Sequence, residues 1–195
     1  MKLLSLLSVS ALLGTVIAGP MRLRQAEETK YRLKVTSGGN DTDIDDKFLS
    51  TDDEGRFGIF GEENKVREIY SIEAGEKSDR VSLHSGTNKV DEALSLLGWK
   101  GNMYLKETTE PADFKVEDQG NGESDPDSYS WNEFTLKGEE NSSSPRELLW
   151  DNKTDKPGWV AAPAKDGTFY IKFYDGSAYV IQNYIPIRIF LEAVE

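Results

Sequence analysis

Ile185-Pro186-Ile187-Arg188-Ile189-Phe190-Leu191-Glu192-Ala193, in extended form, sets Ile185, Ile187, Ile189, Leu191 and Ala193 on one side and Pro186, Arg188, Phe190 and Glu192 on the other. Side chains alternate across a strand with a period of two, so this stretch reads as a strand with one buried face. Pro186 has no N–H to give a ladder, which places the start of the strand at a sheet edge. The same alternation recurs in Tyr31-Arg-Leu33-Lys-Val35, Val81-Ser-Leu83, Phe134-Thr-Leu136 and Phe169-Tyr-Ile171-Lys-Phe173, between segments rich in Gly, Asn, Asp and Ser. Helical periodicity is nearly absent outside the N-terminal leader. The expected fold class is all-β, a single domain of about 12–13 short strands.

Three stretches share the form Gly-x-apolar-x-apolar: Gly55-Arg-Phe57-Gly-Ile59, Gly101-Asn-Met103-Tyr-Leu105 and Gly167-Thr-Phe169-Tyr-Ile171. Each follows an apolar run (Phe48-Leu49, Leu94 to Leu97, Trp159-Val160) and precedes another (Ile69 to Ile72, Phe114 to Val116, Tyr179 to Ile181). With Tyr31 to Val35, Val81 to Leu83 and Phe134 to Leu136 upstream, this makes three units of four strands, the pattern of a β-trefoil-like barrel. A two-sheet β-sandwich holds the same strands and also the run from Tyr184 to Val194, which the three-unit scheme does not need. Both architectures stay open. Glu117 to Ser130 contains no aliphatic side chain and reads as an acidic loop inserted at 117–130.

The N-terminus has Met1-Lys2, an apolar run from Leu3 to Ile17 broken by Ser, Gly and Thr, and Val16-Ile17-Ala18 before Gly19. A charged start, an apolar middle and a small-residue cleavage site make residues 1–18 a signal peptide. The run is too short and too Ser-rich to span a bilayer, so no membrane insertion is expected. Residues 19–29 form a polar arm and residues 30–195 the folded domain. The expected location is secreted, extracellular or cell-wall associated. The chain has no cysteine, so its stability must come from apolar packing, without the disulfides usual in small secreted domains. Once Lys2 leaves with the leader, 22 Lys and Arg face 35 Asp and Glu, a net charge of −13. Such a surface repels nucleic acid and anionic lipid. Asn40-Asp-Thr, Asn141-Ser-Ser and Asn152-Lys-Thr are sequons, which makes Asn40, Asn141 and Asn152 candidate glycan sites on surface loops.

A Cys nucleophile is excluded, and any serine triad or zinc site must use the single histidine, His84. Alternation puts His84 on the polar face at a strand end, and a surface histidine is expected. No motif calls for a cofactor, and the chain is expected to be non-enzymatic. Its many carboxylates leave a carboxylate-based polysaccharide hydrolase as the alternative. Asp41, Asp43 and Asp45 are spaced like the start of a calcium loop, but Asp46 stands where the tight turn needs Gly and Asp52 where a bidentate Glu is expected. An acidic surface turn is the competing reading. Of the four tryptophans, Trp99 and Trp150 have charged, turn-like neighbours and are the candidates for stacking a sugar ring, with core packing as the ordinary alternative.

Gly158-Trp-Val-Ala-Ala-Pro-Ala-Lys-Asp-Gly-Thr-Phe-Tyr-Ile-Lys-Phe173 resembles the C-terminal part of small secreted fungal cell-wall proteins of the phialide-protein type. Ser37-Gly-Gly, Lys47-Phe-Leu and Gly55-Arg-Phe-Gly-Ile-Phe-Gly61 resemble their N-terminal half. The resemblance implies a fungal, extracellular, β-rich protein. It transfers no catalytic residue, because the similar positions are turn glycines and strand aromatics. The expected function is that of a secreted, non-enzymatic protein that binds cell-wall glycan or a host protein, acting as a monomer at the cell surface or on a host. A structural wall protein is the other alternative.

Overall fold

A computed structural model describes residues 29–39, 41, 43–61, 65–75, 77–86, 91–99, 101–115, 128–139, 144–150, 158–176 and 183–194. The expected signal peptide, nearly all of the polar arm, the sequon asparagines Asn40, Asn141 and Asn152, and most of the acidic insertion lie outside these residues. The strands are β1 (Tyr31–Thr36), β2 (Lys47–Phe48), β3 (Ser50–Thr51), β4 (Phe57–Ile59), β5 (Glu68–Ile69), β6 (Ser71–Ala74), β7 (Val81–His84) and β8 (Glu92–Trp99). They continue with β9 (Asn102–Thr109), β10 (Ser128–Ser130), β11 (Phe134–Lys137), β12 (Arg146–Trp150), β13 (Trp159–Pro163), β14 (Phe169–Tyr174), β15 (Ile185–Pro186) and β16 (Arg188–Ala193). The fold is all-β, as the alternation predicts, and the described residues include no α-helix. The strand count exceeds the expected 12–13, because four of the strands are two-residue pairings that no sequence period marks.

All sixteen strands among the described residues belong to one antiparallel sheet, in the order β15-β13-β14-β9-β8-β7-β11-β12-β16-β1-β2 with the others paired to its side. The sheet is nearly closed and barrel-like, so of the two expected architectures the barrel is observed and the two-sheet sandwich is not. The C-terminal run, which a three-unit scheme does not need, performs the closure. Ile185-Pro186 pairs with β13, and two residues later Arg188–Ala193 lies between β1 and β12. Its register with β1 runs from Tyr31↔Ala193 to Thr36↔Arg188. Pro186 sits on β15 at the end of the strand order, the edge position that its missing N–H requires.

The three Gly-x-apolar-x-apolar stretches become β4, β9 and β14, and each opening glycine turns a hairpin at positive φ: Gly55 at 75°, Gly101 at 84° and Gly167 at 75°. Side chains with a Cβ are strained there, which is why glycine recurs at these points. The three strands meet: β14 pairs with β4 through Phe169↔Ile59 and with β9 through Lys172↔Tyr104, and an Arg56↔Lys106 bridge joins the turn before β4 to β9. Their inward residues Phe57, Met103, Leu105, Phe169 and Ile171 join Leu33, Leu96, Phe134, Leu148, Ile189 and Leu191 in one core. Each such aliphatic or aromatic side chain contributes about 1.5–3 kcal/mol on burial. The barrel departs from three equal units at β12, which sits between β11 and β16 and belongs to none of them.

The acidic insertion ends earlier than its composition indicates. Ser128-Tyr-Ser130 is strand β10, paired with Leu96 to Gly98 of β8. Tyr129 anchors it, with its ring against Phe114 and its hydroxyl donating to the Pro111 carbonyl, and burial pushes that hydroxyl's pKa up to about 12. Of the predicted strand Phe114 to Val116, Phe114 and Lys115 lie in a loop, with Phe114 as the partner of Tyr129; Val116 and the predicted strand Tyr179 to Ile181 lie outside the described residues.

Candidate functional site

The β8–β9 hairpin ends in the pair Trp99↔Asn102, and there Trp99 stands 47% exposed. Beside it lies a groove of about 180 Å³ lined by Leu97, Gly98, Trp99, Tyr104 and Lys106 of the hairpin and by Glu54 and Arg56 of the β3–β4 turn. Gly98 lets the two hairpin strands close up: a Cβ at this position would lie 2.9 Å from the Asn102 carbonyl oxygen and 3.1 Å from the Met103 Cα. The β3–β4 turn is seated on β9 by the Glu107 N–H, which donates to the Gly55 carbonyl at 2.8 Å.

Arg56 is fixed from several sides. Its Nε donates to Asp52 Oδ2 at 2.8 Å, its Nη2 lies 2.7 Å from the same oxygen, and its Nη1 lies 3.1 Å from Glu54 Oε2. Nη2 also donates to the Tyr170 hydroxyl, and the guanidinium stands over the rings of Tyr170 and Tyr104. Burial works against the Arg56 charge, but the hydrogen bond and charge of Asp52 outweigh it and raise the pKa above its ordinary value. Asp52 builds the turn as well, since its Oδ1 accepts the backbone N–H groups of Glu54 and Arg56.

Next to the groove, the outward residues of β9 and β14 make an aromatic face. Tyr104 meets Tyr170 edge-on at 5.7 Å, Tyr170 meets Phe60 at 5.4 Å, and Tyr174 meets Tyr184 at 5.7 Å. Burial raises the hydroxyl pKa values of Tyr104 and Tyr170. Among these rings lies Lys172, 7% exposed, its Nζ 4.1 Å from the centre of the Tyr104 ring.

The other sequence candidates fall elsewhere. Trp150 does not line the groove: it packs edge-on against Phe173 at 4.7 Å, and its Nε1 donates to Ser130 Oγ. The acidic turn is knitted to itself. Asp45 Oδ1 accepts from Thr36 Oγ1 and from the N–H and hydroxyl of Ser37, while Asp41 Oδ1 accepts the Asp43 N–H. Among the described residues no group of three His, Asp or Glu gathers as metal ligands. Glu54 is the one carboxylate among the described residues that line the groove.

His84 is buried at 8% exposure, contrary to the expected surface position. Trp131 covers it edge-on at 6.1 Å. Its Nδ1 lies 2.6 Å from Asp91 Oδ1 and its Nε2 2.8 Å from the Ser82 hydroxyl, with Glu73 Oε2 3.8 Å from Nε2. The connectivity is that of a serine nucleophile system, but the exposure is reversed: Ser82 is 2% exposed and the Asp91 side chain 50%. A nucleophile has to meet its substrate, and this serine is under cover. The trio ties β7 to the start of β8.

A wider, shallow groove of about 510 Å³ lies between Lys47, Phe48, Ile59, Phe60 and Val66. No protein-family model matches the chain, and neither a curated protein nor a solved structure is similar to it.

Proposed function

We propose that this is a secreted glycan-binding protein, without catalytic activity, that works at a fungal cell surface and takes a sugar chain in the Trp99 groove. The observation that carries the reading is Trp99 itself. It is a large aromatic side chain held in water at 47% exposure, lining a groove that a second ring, Tyr104, also lines. An indole face covers the apolar C–H face of a pyranose, and the flanking Glu54, Arg56 and Lys106 supply hydrogen bonds for its hydroxyls. At about 180 Å³ the groove is smaller than the roughly 300–1,000 Å³ of an enclosing small-molecule site, which suits one ring of a longer chain. The signal peptide and the resemblance to fungal wall proteins supply the location.

Isothermal titration of soluble wall-derived oligosaccharides tests the proposal. The wild-type chain binds saturably, Trp99→Ala binds at least about tenfold more weakly, and Trp150→Phe binds as the wild type does. Equal binding by wild type and Trp99→Ala overturns it.

A further inference from the structure

Lys172 raises a question that the binding site answers. Acidic side chains outnumber basic ones in this chain by 35 to 23, and many of its cations have found partners: Lys30 and Arg32 on Glu68, Lys34 on Asp46, Arg67 on Glu92 and Glu107, Arg188 on Glu147. Lys172 forms no ion pair with any described residue, although it is one of the buried ones. Lys47 and Lys165 likewise form no ion pair with a described residue, but they are exposed and water solvates them. A buried ammonium without a counter-charge is costly. Here the compensation consists of the Tyr104 face at 4.1 Å, the Tyr184 face at 5.7 Å and one long hydrogen bond of 3.4 Å to the Tyr184 hydroxyl. An ammonium has three protons to donate. Lys106, two residues beyond Tyr104 on the same face of β9, is likewise without a carboxylate among the described residues and lines the groove. Lys172 against the Tyr104 ring and Lys106 in the groove are thus two cations without a carboxylate partner among the described residues, in a molecule whose net charge is −12.

We infer that the ligand of this groove is anionic: a glycan bearing uronic-acid carboxylates, bound with a sugar ring on Trp99 and Tyr104 and a carboxylate facing Lys106, with the buried charge of Lys172 behind the Tyr104 ring adding to the attraction. This rests on the glycan-binding reading above and names the class of glycan. An acidic peptide offers the same charge without a ring to stack, so the aromatic pair favours the sugar.

The test is isothermal titration with oligogalacturonate, with the same oligomer fully methyl-esterified, and with an oligo-aspartate, at low and high salt. The acid form is expected to bind at least about tenfold more tightly than the ester, with the preference falling as salt rises. Lys106→Ala and Lys172→Met are each expected to remove the preference for the acid form over the ester. Lys106 is partly exposed, so its variant keeps the test valid if Lys172→Met disturbs packing. Equal affinity for acid and ester, or a preference that survives in Lys106→Ala, overturns the anionic ligand while the glycan site stands. Tighter binding of oligo-aspartate overturns the sugar in favour of a peptide. If neither oligomer binds and neutral oligosaccharides also fail, both readings fall.

Discussion

Replacing Asp52 with Ala should damage fold and binding together, because one carboxylate holds both the β3–β4 turn and the guanidinium that lines the groove. Its Oδ1 accepts two turn N–H groups at 3.0 and 2.9 Å, and its Oδ2 takes Arg56 Nε at 2.8 Å and Nη2 at 2.7 Å. Breaking a fully buried ion pair costs about 3–5 kcal/mol and an exposed one less than about 1. The side chains here are 17% and 26% exposed. An intermediate loss of about 2 kcal/mol follows for the pair, with about 1 more for the turn hydrogen bonds. In a domain of this size about 3 kcal/mol lowers the melting temperature by roughly 6–12 °C. Thermal unfolding followed by tryptophan fluorescence reads this directly. Asp52→Asn, which keeps an acceptor for the turn but loses the charge, should fall between the two. A melting temperature for Asp52→Ala within a degree of wild type would refute the claim that this carboxylate organises the site.

The acid limb of stability follows from Glu147, Glu68 and Asp45. Hydrogen bonds from Arg188, from Arg32 and from Thr36, respectively, lead the causes that lower their pKa values below the usual 4.5, 4.5 and 3.8. A lowered folded-state pKa means the stabilisation is complete above those usual values and is lost as pH falls through the folded ones. Denaturant midpoints measured from pH 7 down to pH 2.5 should therefore decline below about pH 4.5, and less steeply in Glu147→Gln; a flat profile contradicts the assignment. Gly98→Ala puts a methyl group against the Asn102 carbonyl and Met103, so it should cost more than about 1 kcal/mol in chemical denaturation and weaken ligand binding. His84→Ala leaves Ser82 under cover without its partner and should cost about 1–3 kcal/mol by the same measurement. Trp150→Ala empties a half-buried contact with Phe173 and should cost about 2–4 kcal/mol, whereas Trp99→Ala stays within about 0.5 kcal/mol of wild type.

Where local pattern governs, the sequence foretold the structure. In the predicted alternation, Ile189 and Leu191 are the buried face of β16 and Ile187 is buried just before it, and the glycines of the repeat stand at positive-φ turns. Phe169-Tyr-Ile-Lys-Phe-Tyr174 also carried the outer aromatic face, as Tyr170, Lys172 and Tyr174 opposite the core residues Phe169, Ile171 and Phe173. What the pattern lacks is the neighbour. Lys172 becomes buried because Tyr104 comes from another hairpin and Tyr184 from the approach to β15. His84 becomes buried because Trp131, 47 positions away, lies across it. Ser128-Tyr-Ser130 has a loop composition and becomes a strand because β8 offers it an unpaired edge. Trp99 and Trp150 look alike in sequence, and long-range contacts alone decide that one faces water and the other Phe173.

The four indole N–H groups supply the most direct measurement of the central claim, that sugar binds on Trp99. In the free protein, Trp159 Nε1 donates to the Leu148 carbonyl at 2.7 Å and Trp150 Nε1 to Ser130, both away from the groove. A ¹⁵N-labelled sample titrated with oligogalacturonate should show a saturating shift of the Trp99 indole resonance, assigned by its loss in Trp99→Ala, while the Trp150 and Trp159 resonances stay in place. A titration that moves Trp150 or Trp159 and leaves Trp99 unmoved would contradict the account.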